Sequence, residues 1–158
     1  MDERKESILK ELKEKFEETK KDLGFKADFE TLDERFFIKD SVLGAGFVSE
    51  NFSRQLCSRI VETYNNWINY LHSLIMPNPG FLINLHESKM VDESDRKDIT
   101  KLMSRVLAFT SMNSVIGLVK DKGKEARFID ESVRFWDEEF KPVAETIVKK
   151  INGKWNEK

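Results

Sequence analysis

TYNNWINYLHSLIMPNPGFLINL, residues 63–85, contains no Asp, Glu, Lys or Arg, in a chain where charged residues make up 35% of the whole. Its first part continues a pattern that begins upstream. Cys57, Ile60, Tyr64, Trp67, Leu71 and Leu74 recur at alternating intervals of three and four, which places them on one apolar helix face. Pro77 and Pro79 end the pattern, so the spacing predicts one helix over about residues 50–76, roughly 40 Å long at 1.5 Å per residue, with Ser49 as its N-cap. The side opposite the seam is polar and almost uncharged. A helix with so little charge on either side is expected to be central and surrounded.

Working outward, the remaining segments also read as helices. Ile8, Leu9, Leu12, Phe16 and Leu23 define a face from Asp2 to Leu23, stopped by Gly24. Thr31 and Glu34 have capping-box spacing ahead of Leu32, Phe36, Phe37 and Leu43, which predicts a second helix ending before Gly44-Ala45-Gly46. That glycine-rich turn lacks the Lys-Ser/Thr and the preceding strand of a phosphate loop. Phe81, Leu82, Ile83 and Leu85 form a short apolar piece that fits a helical turn or an extended segment. Ser94 opens a fourth long helix to about Val119, whose second half, Val106 to Val119, again lacks charge. Ala108, Thr110, Ser111, Ser114 and Gly117 there are small enough for close approach of another helix. A last helical region carries Ile129, Val133, Trp136, Phe140, Val143, Ile147 and Ile151, with a kink or restart at Pro142 and an end at Gly153.

No period-two segment bounded by hairpin signals is present, so the expected class is all-α. We expect a single domain over residues 1–158, a bundle of five or six mostly antiparallel helices with helix 50–76 central. A weak internal duplication is suggested by Phe37-Ile-Lys-Asp-Ser-Val42 beside Phe128-Ile-Asp-Glu-Ser-Val133, and by Phe52 and Trp67 beside Phe140 and Trp155.

Composition narrows the function classes. The 158 residues suffice for a core without disulfide or metal staples, and Cys57 is the one cysteine. A lone thiol on an apolar seam and a charged N-terminal segment without a secretory pattern lead us to expect a cytoplasmic protein. The 27 basic and 29 acidic residues are interspersed, giving a net charge of −2, so nucleic-acid binding is not indicated. Asn65, Asn66, Asn69, His72 and the Pro77-Asn-Pro-Gly80 break argue against a membrane span in the uncharged window.

The candidate site is a polar stripe on helix 50–76. Ser58, Glu62, Asn65, Asn69 and His72 follow one another at intervals of four and three, and His86 beyond the proline turn adds a second imidazole. If covered, these side chains would need hydrogen-bond partners inside the protein or on a polar ligand. Zinc-type cysteine spacing and Glu-x-x-His context are both absent, so no metal and no cofactor is expected, and no catalytic residue is assigned. Trp67 and Trp136 are expected in the core, whereas Trp155 must fold back as a staple or dock on another chain. These readings lead to a non-catalytic helical interaction or adaptor subunit, self-associating or bound to a protein partner. The alternative is a small-molecule-binding or metal-dependent helical enzyme using Ser58 to His72 with His86.

Overall fold

The computed structural model describes residues 2–157, which form α1 (Glu3–Leu23), α2 (Phe29–Phe36), α3 (Ile38–Ala45), α4 (Phe52–Ile75), α5 (Leu82–Ser88), α6 (Glu93–Val119), α7 (Lys122–Phe135), a π-helical turn (Trp136–Phe140) and α8 (Lys141–Trp155). Counting α7, the π turn and α8 as one interrupted helix gives seven helices among the described residues, against the five or six expected. The fold is all-α, as expected. Its helices group into two compact units, one of residues up to Thr63 with Phe109–Arg134, the other of Tyr64–Ala108 with the residues from Phe135 onward.

In the first unit, α1 starts where Asp2 accepts the Arg4 N–H and stops at Gly24, whose φ of 85° is left-handed. The buried face of α1 is Ile8, Leu12, Phe16 and Thr19. Phe16 is an aromatic hub, edge-on to Phe25 at 5.7 Å, Phe29 at 5.3 Å and Phe52 at 6.4 Å. The helix expected from Thr31 to Leu43 is in fact two. Asp28, not Thr31, is the N-cap of α2, its carboxylate accepting the Thr31 N–H at 2.8 Å. Phe37 then adopts the left-handed conformation (φ 54°, ψ 51°) and separates α2 from α3.

A bulky residue there costs roughly 1–2 kcal/mol. Its neighbours hold it in place: Asp33 accepts the Lys39 N–H at 2.8 Å, while Arg59 Nε of α4 donates to the Phe36 carbonyl at 2.8 Å. α4 begins at Phe52 rather than at residue 50. Ser49 does not cap it directly; its Oγ accepts the Asn51 N–H at 3.2 Å and its own N–H donates to Gln55 Oε1. Elsewhere in this unit the Asp130 carboxylate accepts the Lys26 and Ala27 N–H groups, and Phe109 meets Phe128 edge-on at 5.8 Å. α6 and α7 are joined through Lys120, left-handed at φ 59°, and Asp121, which caps α7 by accepting the Lys124 N–H.

In the second unit, the buried residues of α4 are Tyr64, Ile68, Leu71 and Leu74. Ile68 takes the position assigned to Trp67, which is 37% exposed, because both residues satisfy the spacing between Tyr64 and Leu71. Tyr64 is ringed by Phe135 at 5.5 Å, Trp136 at 5.7 Å and Phe140 at 5.3 Å. The apolar piece around residues 81–85 belongs to helix α5. α6 starts at Glu93, one residue before the expected Ser94, because the backbone N–H of each of Asp92 and Asp95 donates to the other's carboxylate across its first turn. Lys150 of α8 donates to both carboxylates.

Pro142 does restart the last helix. It falls in the first turn of α8, directly after the π turn, where its missing N–H costs least. Gly153, by contrast, does not end α8, which runs on to Trp155. The buried residues along this stretch include Ser132 and Phe135 in place of the expected Val133 and Trp136, one residue earlier in each case. Ser132 is buried without cost because its Oγ donates to the Phe128 carbonyl at 2.7 Å. The two segments compared as a duplication differ in backbone: Phe37 sits at a left-handed break, whereas residues 128–133 lie within α7.

Candidate functional site

The polar stripe of α4 faces water. Ser58, Glu62 and Asn69 are exposed, and Asn65 and His72 half-buried, so the helix is not surrounded in the way its missing charge implied. Ser58 and Glu62 belong to the first unit, and Glu62 is held by Arg59 at 3.3 Å. Asn65, Asn69, His72 and His86 belong to the second. Among the described residues no three His, Cys, Asp or Glu side chains gather closely enough to hold a metal ion. Cys57 is fully buried, and that burial pushes its thiol well above the ordinary range, with Glu125 adding to the shift and Arg54 opposing it. A thiol so placed is a poor nucleophile.

His86 meets Trp155 instead of a metal. The two rings stack at 5.2 Å and 21°, and Trp155 Nε1 donates to Glu87 Oε2 at 2.7 Å. The same carboxylate lies 3.5 Å from the Tyr70 hydroxyl, whose acidity is reduced first by burial and then by the Glu87 charge. Of the two expectations for Trp155, folding back onto its own chain is the one observed, with α5 as the docking element.

α6 leaves a large apolar surface uncovered. Its C-terminal half exposes Met112 (46%), Val115 (40%), Leu118 (86%) and Val119 (58%), all in the first unit, and Leu107 lies exposed earlier on the same helix. α6 contains an 18-residue stretch of mean hydropathy 1.4 with only 17% of it buried, long and apolar enough by length and composition to cross a membrane. A core helix with that composition is mostly buried; this one is not. Gly117 lies beside Arg54: a Cβ there would meet the guanidinium at 3.5 Å, an ordinary van der Waals contact. Arg54 in turn binds Glu125 Oε2 at 2.7 Å and Asn113 Oδ1 at 2.6 Å.

The second unit contains an apolar groove of about 430 Å³ between Trp67 of α4, Trp136 and Phe140 of the π turn, and Ala144 and Val148 of α8. Trp136 and Phe140 stack at 5.1 Å and 19°. Lys141, Glu145 and Lys149 stand along its rim, with Lys149 Nζ 2.7 Å from Glu145 Oε1. Sequence reading missed this groove because it assigned both tryptophans to the core. The signal that could have found it is the competition between Trp67 and Ile68 for one seam position, which leaves the larger ring at the edge.

Compared with known proteins, the chain matches no protein family, no curated protein and no solved structure.

Proposed function

We propose that this chain is a non-catalytic helical interaction subunit that binds a second copy of itself through the C-terminal half of α6. The observation that carries this reading is the exposure of Met112, Val115, Leu118 and Val119 in a stretch without a single charged residue from Val106 to Val119. Isolated surface leucines mean nothing, but an uncharged apolar helix surface marks an interaction site. A symmetric pair buries the same residues twice. Each large apolar side chain fully removed from water contributes about 1.5–3 kcal/mol. Against this stand about 4–15 kcal/mol of lost translational and rotational freedom, so a reversible dimer is the expected outcome. The cytoplasmic setting belongs to the same proposal and is supported by Cys57, a single thiol buried without a disulfide partner.

Sedimentation over a range of concentrations tests it. The expected result is a species heavier than the 18.5 kDa chain that returns to monomer when Leu118 and Val115 are both replaced by Glu. A clean monomer at every concentration overturns self-association. If the monomer instead floats with lipid vesicles, α6 is a membrane-contacting helix and the proposal is replaced. The enzyme alternative stands second, because Ser58, Glu62, Asn69 and His86 are exposed side chains rather than the lining of a water-excluding site.

A further inference from the structure

The geometry points to the Trp67–Trp136 groove as a binding site for a small aromatic carboxylate, its flat body between the tryptophans and its carboxylate at Lys141. Three features of the second unit combine here. The first is concavity with the right chemistry: about 430 Å³ falls within the usual range for small-molecule sites, and its lining is three aromatic rings with Ala144 and Val148. Ala144, itself buried, leaves room where a larger residue would fill the space. The second is the π turn, a rare backbone form that recurs at functional sites. It begins directly after Phe135, and Lys141 closes it by donating its N–H to the Trp136 carbonyl. Within this turn Trp136 and Phe140 stack on each other, and both line the groove. Pro142 holds the chain in that form by withholding the next N–H.

The third feature is charge. Lys149 is engaged by Glu145 at 2.7 Å, whereas no carboxylate lies within 4 Å of Lys141 among the described ion pairs. Two lysines and one glutamate leave the rim net positive, with Lys141 the cation able to meet an anion. An aromatic body is favoured over an alkyl chain because the groove is lined by three aromatic rings, Trp67, Trp136 and Phe140, with Trp67 37% exposed.

The probe is 2-naphthoate, followed through the three tryptophan indole N–H signals in an ¹⁵N-labelled sample, assigned with Trp67→Phe and Trp136→Phe. Saturable shifts of the Trp67 and Trp136 signals, with Trp155 unmoved, are expected. Lys141→Glu should weaken binding by at least about threefold to fivefold, the scale of an exposed ion pair. Glu145→Gln, which removes the competing carboxylate and frees Lys149, should strengthen it. Ala144→Leu should abolish the shifts; because that variant could also disturb folding, its thermal melt is compared with that of the unmodified chain, and Glu145→Gln supplies the test that depends on no added bulk. Absence of saturation at millimolar naphthoate overturns the proposal, as do equal shifts of all three indoles. Equally tight binding of uncharged 2-naphthalenemethanol overturns the assignment of an anion.

Discussion

α4 from Thr63 onward and α6 from Val106 onward share an absence of charge, and the two helices differ in almost everything else. In α4 the apolar residues recur at intervals of three and four, and the result is a face on which Cys57, Ile60, Leu71 and Leu74 are each 0% exposed. In the second half of α6, Leu107, Phe109, Met112, Val115, Ile116, Leu118 and Val119 spread over more than half of the circumference, far wider than a single seam. One side is used, by Val106, Phe109 and Ile116, while Leu107, Met112, Val115, Leu118 and Val119 are exposed, Leu118 at 86%. Missing charge therefore says that a helix can be covered, whereas periodicity says which face the chain itself covers. An apolar surface left over after the periodic face is satisfied is a surface for something else.

Reaction of Cys57 with a thiol-directed disulfide reagent breaks this comparison most sharply. In the native state it should be slowed at least about a thousandfold relative to the urea-unfolded chain, since exposure requires unfolding, populated at about 10⁻³ to 10⁻⁶. Rapid labelling without denaturant would mean that the α4 seam is not closed. Next comes Leu71→Ala, which should cost about 2–5 kcal/mol in urea melts, against no more than about 0.5 kcal/mol for Leu118→Ala at concentrations where the chain is monomeric. Equal costs would erase the distinction between the two helices.

Arg54→Met should cost about 2 kcal/mol. It strands Glu125, whose side chain is 8% exposed, although the 27% exposure of Arg54 lets water soften the loss that a fully buried pair would show. Adding Glu125→Leu should recover most of it, and a double-mutant cycle without such recovery would show that the charges are not coupled. The smallest effect concerns the charged beginning of α6. The Asp95 N–H and then the Lys150 ammonium hold the Asp92 carboxyl below its ordinary range. A carboxylate so lowered stabilises the fold above its unfolded value of about 3.9, and that contribution disappears as pH falls through the native value. The melting-temperature gap between the wild type and Asp92→Asn should accordingly be present at pH 6 and close below about pH 4.

Much of this architecture is legible in sequence because helix periodicity is a local property. The all-α class, the extent of α6 and α1, the stop at Gly24 and the restart at Pro142 all follow from residues within a turn or two of the feature. Failures occur where two residues compete for one role. Asp28 outcompetes Thr31 as a cap, Ile68 outcompetes Trp67 for the seam, and Ser132 takes a buried place from Val133 because its hydroxyl finds the Phe128 carbonyl. Phe37 is a failure of another kind: its left-handed backbone is supported by Arg59, 22 positions away, which no local rule could supply. The spacing from Ser58 to His72 defines one helix face, but whether that face is covered is a tertiary fact.

The contact of Trp155 with α5 has a consequence for motion. The final turn of a helix ordinarily frays, exchanging its amide hydrogens almost freely. Here the indole is stacked on His86 and bonded to Glu87, so releasing that turn also strips α5 of its cover. The two elements should open together as one exchange unit, with matched protection in residues 82–88 and the last turn of α8. Removing the indole with Trp155→Ala should lower protection in both. A short helix that carries three exposed apolar residues, Phe81 just before it and Leu82 and Ile83 at its start, thus owes its lifetime to a side chain about seventy positions downstream.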